Sequence, residues 1–268
     1  YISTNSKLEH YAQQLQQIFP NGNTFVNVAD IIATLYDPST NRAIVVLPID
    51  QTHANLKSGL AAQRAFIAAD IPFIILFEDE MEDFNLVSAK LKHYTSTGDV
   101  QRIHARQCTI RQCTNDEKKI LLNANHVQGN DNAQISYGAY YNDQLVSVMT
   151  FTAPRVALGQ KDKTKCPAGV WELSRFCTDI RYRIPGIASK LLTHFKRNHT
   201  WTEIYSYADK RWSVGNMYRQ LGFDLVADNP PDYFYVICGV RKHRWNYRKD
   251  ILKNTLPNYD PTLTEYQN

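Results

Sequence analysis

The chain has 268 residues, 43% of them hydrophobic and 21% charged, with a net charge of +4 and a pI near 8.7. That length suits two domains, and the composition excludes an intrinsically disordered chain; no apolar run is long enough to span a membrane. Five scattered cysteines, Cys108, Cys113, Cys166, Cys177 and Cys238, suit a reducing compartment rather than a disulfide framework.

The first residue is Tyr1 rather than Met, so the natural N-terminus is expected to be missing or processed, and no signal peptide is visible. From Ser6 to Phe19 the residues Leu8, Tyr11, Leu15 and Ile18 fall on one face of an amphipathic helix, which Pro20-Asn21-Gly22-Asn23 ends. Residues 24–28 and 31–36 read as strands, Asp37-Pro38-Ser39-Thr40-Asn41 as a turn, and 43–47 as a short buried strand. A helix over 53–69, a buried strand over 72–77 and a helix over 82–91 complete an α/β layout.

This layout resembles the restriction-endonuclease-like domain of phage homing endonucleases. The resemblance is carried by Leu35-Tyr36-x-Pro38-Ser39-x-Asn41 and by Leu76-Phe77-Glu78-Asp79-Glu80. Such nucleases hold Mg²⁺ with an Asp on one strand and an acidic residue on the next. The matching positions here are Thr34 and Val45, which are not metal ligands. Asp30 has no carboxylate facing it, and Glu78 to Glu80 read as a solvated strand end or a metal site. The resemblance therefore implies a nuclease fold whose active site has decayed. The polar run Thr95 to Asp99 marks a linker.

The second domain opens on Arg102 and Arg106 as exposed positive charge. His104-x3-Cys108-x4-Cys113 is spaced like metal ligands, but no second cluster completes four, and no metal is expected. Thr114-Asn115-Asp116-Glu117 is a capping box that starts a helix through about Ala124. Residues 137–141 and 144–151 form a hairpin across Asn142-Asp143, and Pro154 to Ala168 is a loop over the acceptor side. Trp171 to Cys177 alternates as a strand. Because an unbroken strand turns every second side chain to one face, Arg175 goes with Leu173 and Cys177, and Glu172 with Ser174. Ile187, Leu191, Leu192 and Phe195 stripe a helix; Glu203 to Asp209 is a strand; Ser213 can cap a helix over 214–221, closed by Gly222.

At Arg183-Ile184-Pro185-Gly186-Ile187-Ala188 a Gly lies two residues before an Ala at a helix start, which suits a tight turn or an anion-binding one. Pro185 has no N–H, so the turn offers one donor fewer. In order, this turn, a helix, a strand, Asn216-Met217-Tyr218 and Leu221-Gly222-Phe223 resemble the acyl-CoA-binding half of GNAT acetyltransferases. Glu172-Leu173-x-Arg175, Ser206-Tyr207-Ala208-Asp209, Gly215 and Tyr218 are similar to the Mom family of phage DNA-modification proteins, whose GNAT-like fold modifies adenine bases; this likeness covers residues 106–236. The resemblance implies acetyl-CoA or another acyl-CoA as donor, held by Arg181, Arg183, Gly186, Ile187, Ala188, Ser189 and Asn216. It also implies a catalytic group of Asp209, Tyr218, Arg175, Ser206 and His126, the last lying in an Asn-His-x-Gln-Gly turn shared with the phage proteins. Tyr218 would protonate the leaving thiolate or pack on Phe223; Asp209 would accept a proton, fix a base amine or cap a loop; His126 would act near the acceptor or serve structure.

The C-terminal run Arg241, Lys242, Arg244, Trp245, Tyr247, Arg248 and Lys249 mixes cations with aromatics, which suits phosphates and bases or a solvated basic helix face. The expectation is an α/β (α+β) chain with an endonuclease-like domain over 1–98, a GNAT/Mom-like mixed-sheet domain over 99–240 and a basic extension over 241–268. It is expected to act on DNA in the cytoplasm of a phage-infected bacterium, as a base-modifying transferase or as a binding protein that has lost chemistry.

Overall fold

The computed structural model describes residues 4–49, 53–95, 100–154, 168–230 and 233–267. The chain is a mixed α/β protein that divides into two compact units, one of residues 1–84 with 225–268, the other of residues 85–224. These divisions differ from the expected ones at 98 and 240: the helix before the expected linker falls in the second unit, and the C-terminal segment falls in the first. Residues 96–99 of the linker and 155–167 of the expected acceptor loop lie outside the described residues.

The first unit starts with helix α1 (Thr4–Ile18), strands β1 (Asn23–Val28), β2 (Ile31–Asp37) and β3 (Arg42–Leu47), helix α2 (His53–Ala68) and strand β4 (Phe73–Phe77). The sheet order is β1-β2-β3-β4, antiparallel except for the β3/β4 pair. Residues Ala43 to Leu47 are all buried, as a parallel strand covered on both faces requires. Thr34 is buried and its Oγ1 accepts the Val46 N–H at 2.9 Å, just beyond the last ladder pair, Leu35 with Ile44. Its hydroxyl thus satisfies a backbone donor of the sheet. Asp30 is not on a strand: with Ala29 it forms the two-residue turn between Val28 and Ile31, both at positive φ (63° and 50°).

In the second unit, helix α3 (Phe84–Thr95) follows a 3₁₀ turn over Glu78–Glu82 rather than starting at 82. Then come β5 (Gln101–Arg102), β6 (Thr109–Gln112), α4 (Asn115–Asn125), β7 (Ile135–Tyr141), β8 (Gln144–Thr152), β9 (Val170–Thr178), β10 (Tyr182–Arg183), α5 (Ile187–Asn198), β11 (Glu203–Tyr205) and α6 (Asn216–Gln220). Five strands form one sheet in the order β11-β9-β8-β7-β6, antiparallel except for β11 beside β9. The stripe Ile187, Leu191, Leu192 and Phe195 lays α5 on one face, against Tyr137, Ala139, Met149, Phe151 and Leu173. Leu121 and Leu122 lay α4 on the other, against Tyr140, Val148 and Cys177. The capping box forms as expected: Thr114 Oγ1 accepts the Glu117 N–H at 3.2 Å, and Glu117 accepts the Thr114 N–H at 2.8 Å.

The β7–β8 turn also forms at Asn142-Asp143, with φ of 48° and 60°. Left-handed backbone suits glycine better than aspartate, so Asp143→Gly is expected to raise stability by about 0.5 kcal/mol, read as a higher midpoint in urea unfolding.

The first unit is completed by hairpin β12 (Phe234–Ile237) and β13 (Val240–His243) and by helix α7 (Lys249–Thr255). The basic run is therefore divided among a strand, a 3₁₀ turn over Arg244–Tyr247 and a helix, and does not form one helix face. Glu78, Asp79 and Glu80 are not a solvated strand end. Arg241 Nε donates to Asp79 at 2.7 Å, its guanidinium lies 3.8 Å over the Phe77 ring, and Lys7 pairs with Glu78 at 2.8 Å.

Candidate functional site

Strands β9 and β11 run side by side for three residues only, ending at Glu172 opposite Tyr205. Past that point β9 continues to Thr178 while the other chain leaves the sheet, so the expected strand over 203–209 stops four residues before Asp209. The two backbones part there, and side chains fill the opening. Ser206 Oγ donates to the Leu173 carbonyl at 2.8 Å and lies 3.1 Å from the Tyr218 Oη. A hydroxyl carries one proton. With the serine proton on Leu173, the tyrosine O–H is left to donate to Ser206 Oγ or to the Tyr207 carbonyl, 3.4 Å away. Tyr218 is half-buried and packs edge-on against Phe223 at 5.6 Å, the packing weighed for it from sequence, and its hydroxyl still faces Ser206.

A second polar group forms on the α4 face of β9, and a break in strand regularity creates it. Thr150 lies opposite Arg175 and Phe151 opposite Leu173, so Ser174 is the extra residue of a β-bulge. Below the bulge Glu172 pairs with Thr152; above it Arg175 pairs with Thr150 and Cys177 with Val148. Val148 faces α4, hence Thr150 and Thr152 do too. Glu172 and Arg175 therefore share a face, contrary to the alternation expected of an unbroken strand, and Leu173 turns with Phe176 toward α5.

The centre of that group is Asp131. Its carboxylate lies 3.2 Å from the Lys118 ammonium and accepts from Thr150 at 2.7 Å; Lys118 also donates to the Asp131 carbonyl at 2.7 Å. Both side chains are almost wholly buried. Burial pushes the Asp131 carboxyl up, but hydrogen bonds from Thr150 and Ser174 and the Lys118 charge together hold it below the usual carboxylate value. His126, at the end of α4, is pushed down to about 4 by burial and then by the positive charges of Arg175 and Lys90. It is neutral at pH 7, and its Nδ1 accepts the Gln128 N–H at 3.1 Å, which leaves the proton on Nε2. Arg175 itself donates to the Gly129 and Ser174 carbonyls at 3.4 and 2.8 Å.

Of the expected catalytic residues, Ser206 and Tyr218 come together at the opening, and His126 and Arg175 come together on the α4 face. Asp209 stands apart: its carboxylate holds the Arg211 N–H and guanidinium, each at 3.0 Å. Sequence reasoning missed Lys118, Asp131 and Thr150. The capping box marked the start of α4 and so the place of Lys118, but nothing in the polar run 128–134 singled out Asp131.

Among the expected donor-binding residues, Gly186 is left-handed (φ 81°) and precedes α5; a Cβ there would meet only Ala105 Cβ, at 3.8 Å. The backbone can thus be approached at the end of a helix whose first N–H groups lack intrahelical partners. Ile187 is buried and its N–H donates to the Ile184 carbonyl at 3.2 Å, whereas Ser189 is exposed and Ala188 half-buried. Arg183 reaches the His93 carbonyl at 3.4 Å, and Arg181 pairs with Asp179 at 2.6 Å. Asn216 begins α6, which starts two residues later than expected because Gly215 is left-handed (φ 84°); Ser213 accepts the Gly215 N–H instead of capping the helix.

In the first unit, Arg241 is held by the Asp79 and Glu80 carboxylates, Arg244 lies 5.0 Å over Tyr233, and Tyr247 packs on Tyr235 at 5.3 Å. Arg248 pairs with Asp250, Lys249 donates to the Pro261 carbonyl, and Lys242 is exposed; the Trp245 side chain lies outside the described residues. Among the described residues no three His, Cys, Asp or Glu side chains are placed to hold a metal ion, and no helix is long and apolar enough to cross a membrane. Burial pushes the Cys113 thiol up to about 11 and the Cys177 thiol to about 12, so neither is a nucleophile at neutral pH.

No family model matches the chain. No curated protein matches it in sequence. Among solved structures, a transcriptional regulator from Bacillus halodurans C-125 is similar at 18% identity and a TM-score of 0.37, covering 47% of this chain and 99% of its own. A GNAT-family acetyltransferase from Streptococcus pneumoniae TIGR4 is similar at 15% identity and a TM-score of 0.32, covering 44% of this chain and 88% of its own. A ribosomal-protein-alanine N-acetyltransferase from Brucella melitensis biovar Abortus 2308 is similar at 19% identity and a TM-score of 0.33, covering 48% and 97%. At these values the likenesses carry no argument about what the chain does.

Proposed function

We propose that the second unit is a GNAT-like acyltransferase that takes its acyl group from a coenzyme A thioester, and that its acceptor is a base amine of DNA, a Mom-like activity. The observation that carries this reading is the parting of β9 and β11 at Glu172 and Tyr205, with the Ser206 and Tyr218 hydroxyls 3.1 Å apart at the opening. The residues around α5 fit the donor's phosphates: the Gly186 turn is open to close approach, Ala188 and Ser189 offer first-turn N–H groups, and Arg183 adds charge. Bound there, a thioester supplies an activated acyl carbon and a thiolate leaving group. Ser206, fixed on the Leu173 carbonyl, orients Tyr218, whose O–H is the proton donor at the opening.

A second reading is a DNA- or partner-binding protein without chemistry. Pro185 favours it, because it removes a donor from the phosphate turn. The α-β-β-β-α-β order of the first unit supports the endonuclease-like resemblance, and the Thr34 hydroxyl, occupied by the Val46 N–H, supports a first unit that does not cleave.

Mass spectrometry of nucleosides from DNA of cells expressing the chain separates the two readings. Wild type is expected to give a new nucleoside mass. Tyr218→Phe keeps the ring packed on Phe223 and is expected to lower its yield by about 10²-fold, with thermal stability little changed. Unmodified DNA from folded wild type would favour the binding reading.

A further inference from the structure

Outside the opening between β9 and β11, the second unit has a shallow groove of about 530 Å³ along the outer side of α5, walled on its far side by Thr109 and Ile110 of β6. Among the described residues strand β6 is the edge of the sheet, paired with β7. From α5 the groove takes Ser189, Lys190, Thr193, His194 and Arg197, and one end reaches Gly186. No carboxylate lines it. The paired arginines of the chain include Arg181, Arg211, Arg241 and Arg248, each against a carboxylate. Arg197 is exposed and has no such partner among the described residues. Thr109, Ser189 and Thr193 are exposed, and among the described residues no partner holds their hydroxyls. Lys190 is committed in part, since its ammonium donates to the Ala105 and Cys108 carbonyls at 2.9 and 2.6 Å; its charge nevertheless remains at the groove.

We propose that this groove holds the phosphodiester backbone of a nucleic acid. The proposal rests on the reading of the second unit as acting on DNA and names the surface by which it would grip it. Hydroxyls and cationic nitrogens are groups that contact phosphates without reading sequence, and the groove supplies them from Thr109, Thr193, Lys190 and Arg197, beyond the helix start assigned to the donor. Lys190 and Arg197 are separated by two turns of α5, roughly 10 Å along its axis, far enough apart to contact different phosphates of one strand. An acidic peptide would share the charge, but the apolar side chains of the lining are Ile110 and the buried Cys108, little for a peptide's own side chains to pack on.

Fluorescence anisotropy of a short labelled DNA duplex against the full chain tests this, at several salt concentrations and with a Thr193→Glu/Arg197→Glu variant. Wild type is expected to bind with an affinity that falls with salt at a log–log slope of about −2, for contacts by Lys190 and Arg197. The double variant is expected to bind at least about tenfold more weakly, with a slope shallower by about one, and to melt at the same temperature. Should the double variant fail to fold, Arg197→Gln alone is expected to lower the slope in the same direction. Equal binding by wild type and folded variants overturns the groove while leaving DNA as a partner. No binding by wild type at low salt overturns it together with the DNA reading, and capture of polyglutamate in place of DNA assigns the groove to an acidic protein instead. Titration with acetyl-CoA keeps the donor site separate: the groove variants are expected to bind it as wild type does.

Discussion

Lys118→Met is expected to destabilise the protein by about 3–5 kcal/mol, the cost of leaving a buried carboxylate without its counter-charge. Methionine matches the lysine stem in length and apolar packing, so the loss measures the charge and its two hydrogen bonds to Asp131 rather than a cavity. The pH dependence gives an independent sign. Asp131 is held below its ordinary value of 3.8 in the folded protein, so its contribution is present in full above about pH 4 and is lost as pH falls through the lower folded value. In the variant burial and the hydrogen bonds from Thr150 and Ser174 remain while the lysine charge is gone, so the folded-state value of the carboxyl moves up from that of the wild type. The stability difference between wild type and Lys118→Met should therefore be largest near neutrality and shrink as pH falls below about 4. Urea unfolding at several pH values checks both magnitude and sign. Asp131 also receives hydrogen bonds from Thr150 on β8 and from Ser174 at the bulge of β9. Its loss is thus expected to loosen the bulge that puts Glu172 and Arg175 on one face.

Gly186→Glu is expected to lower affinity for an acyl-CoA by 100-fold or more, the magnitude of about 3 kcal/mol for several charge-assisted phosphate contacts. Two effects coincide. The left-handed backbone at φ 81° costs a residue with a side chain about 1–2 kcal/mol, and a carboxylate then stands where an anion would be held by the helix start. The nearest atom to a Cβ there is 3.8 Å away, so there is no clash and the fold should persist with a modestly lower melting temperature. Gly186→Ala separates the contributions: it carries the strain without the charge and should retain most of the donor affinity.

Much of this architecture is legible in the chain because the elements bury one face. The α5 stripe of Ile187, Leu191, Leu192 and Phe195, the Asn142-Asp143 hairpin and the Thr114–Glu117 capping box are local patterns with local causes, and each forms as read. What depends on a neighbour was not legible. The bulge at Ser174 is a mismatch between β9 and β8, and no property of residues 171–177 alone announces it; it overturned the alternation expected for Glu172 and Arg175. The apolar character of Tyr205 and Tyr207 favours a longer β11, yet pairing with β9 stops at Tyr205 and Ser206 turns its hydroxyl to the Leu173 carbonyl. Asp131 carries no pattern of its own, since its partners Lys118 and Thr150 are brought to it by tertiary packing. The basic run from Arg241 reads as a surface in one dimension; in three, Arg241 is held by Glu80 and by Asp79, the latter 162 residues away in the chain.

The most direct test of the acyl-transfer reading is calorimetric titration of acetyl-CoA into the full chain, beside Gly186→Glu. The account predicts saturable binding at one site in wild type, lost in the variant while its fold persists. An absence of binding in folded wild type, or equal binding by the two proteins, would contradict the assignment of the Gly186 turn and with it the reading of the opening between β9 and β11 as an acyl-transfer site.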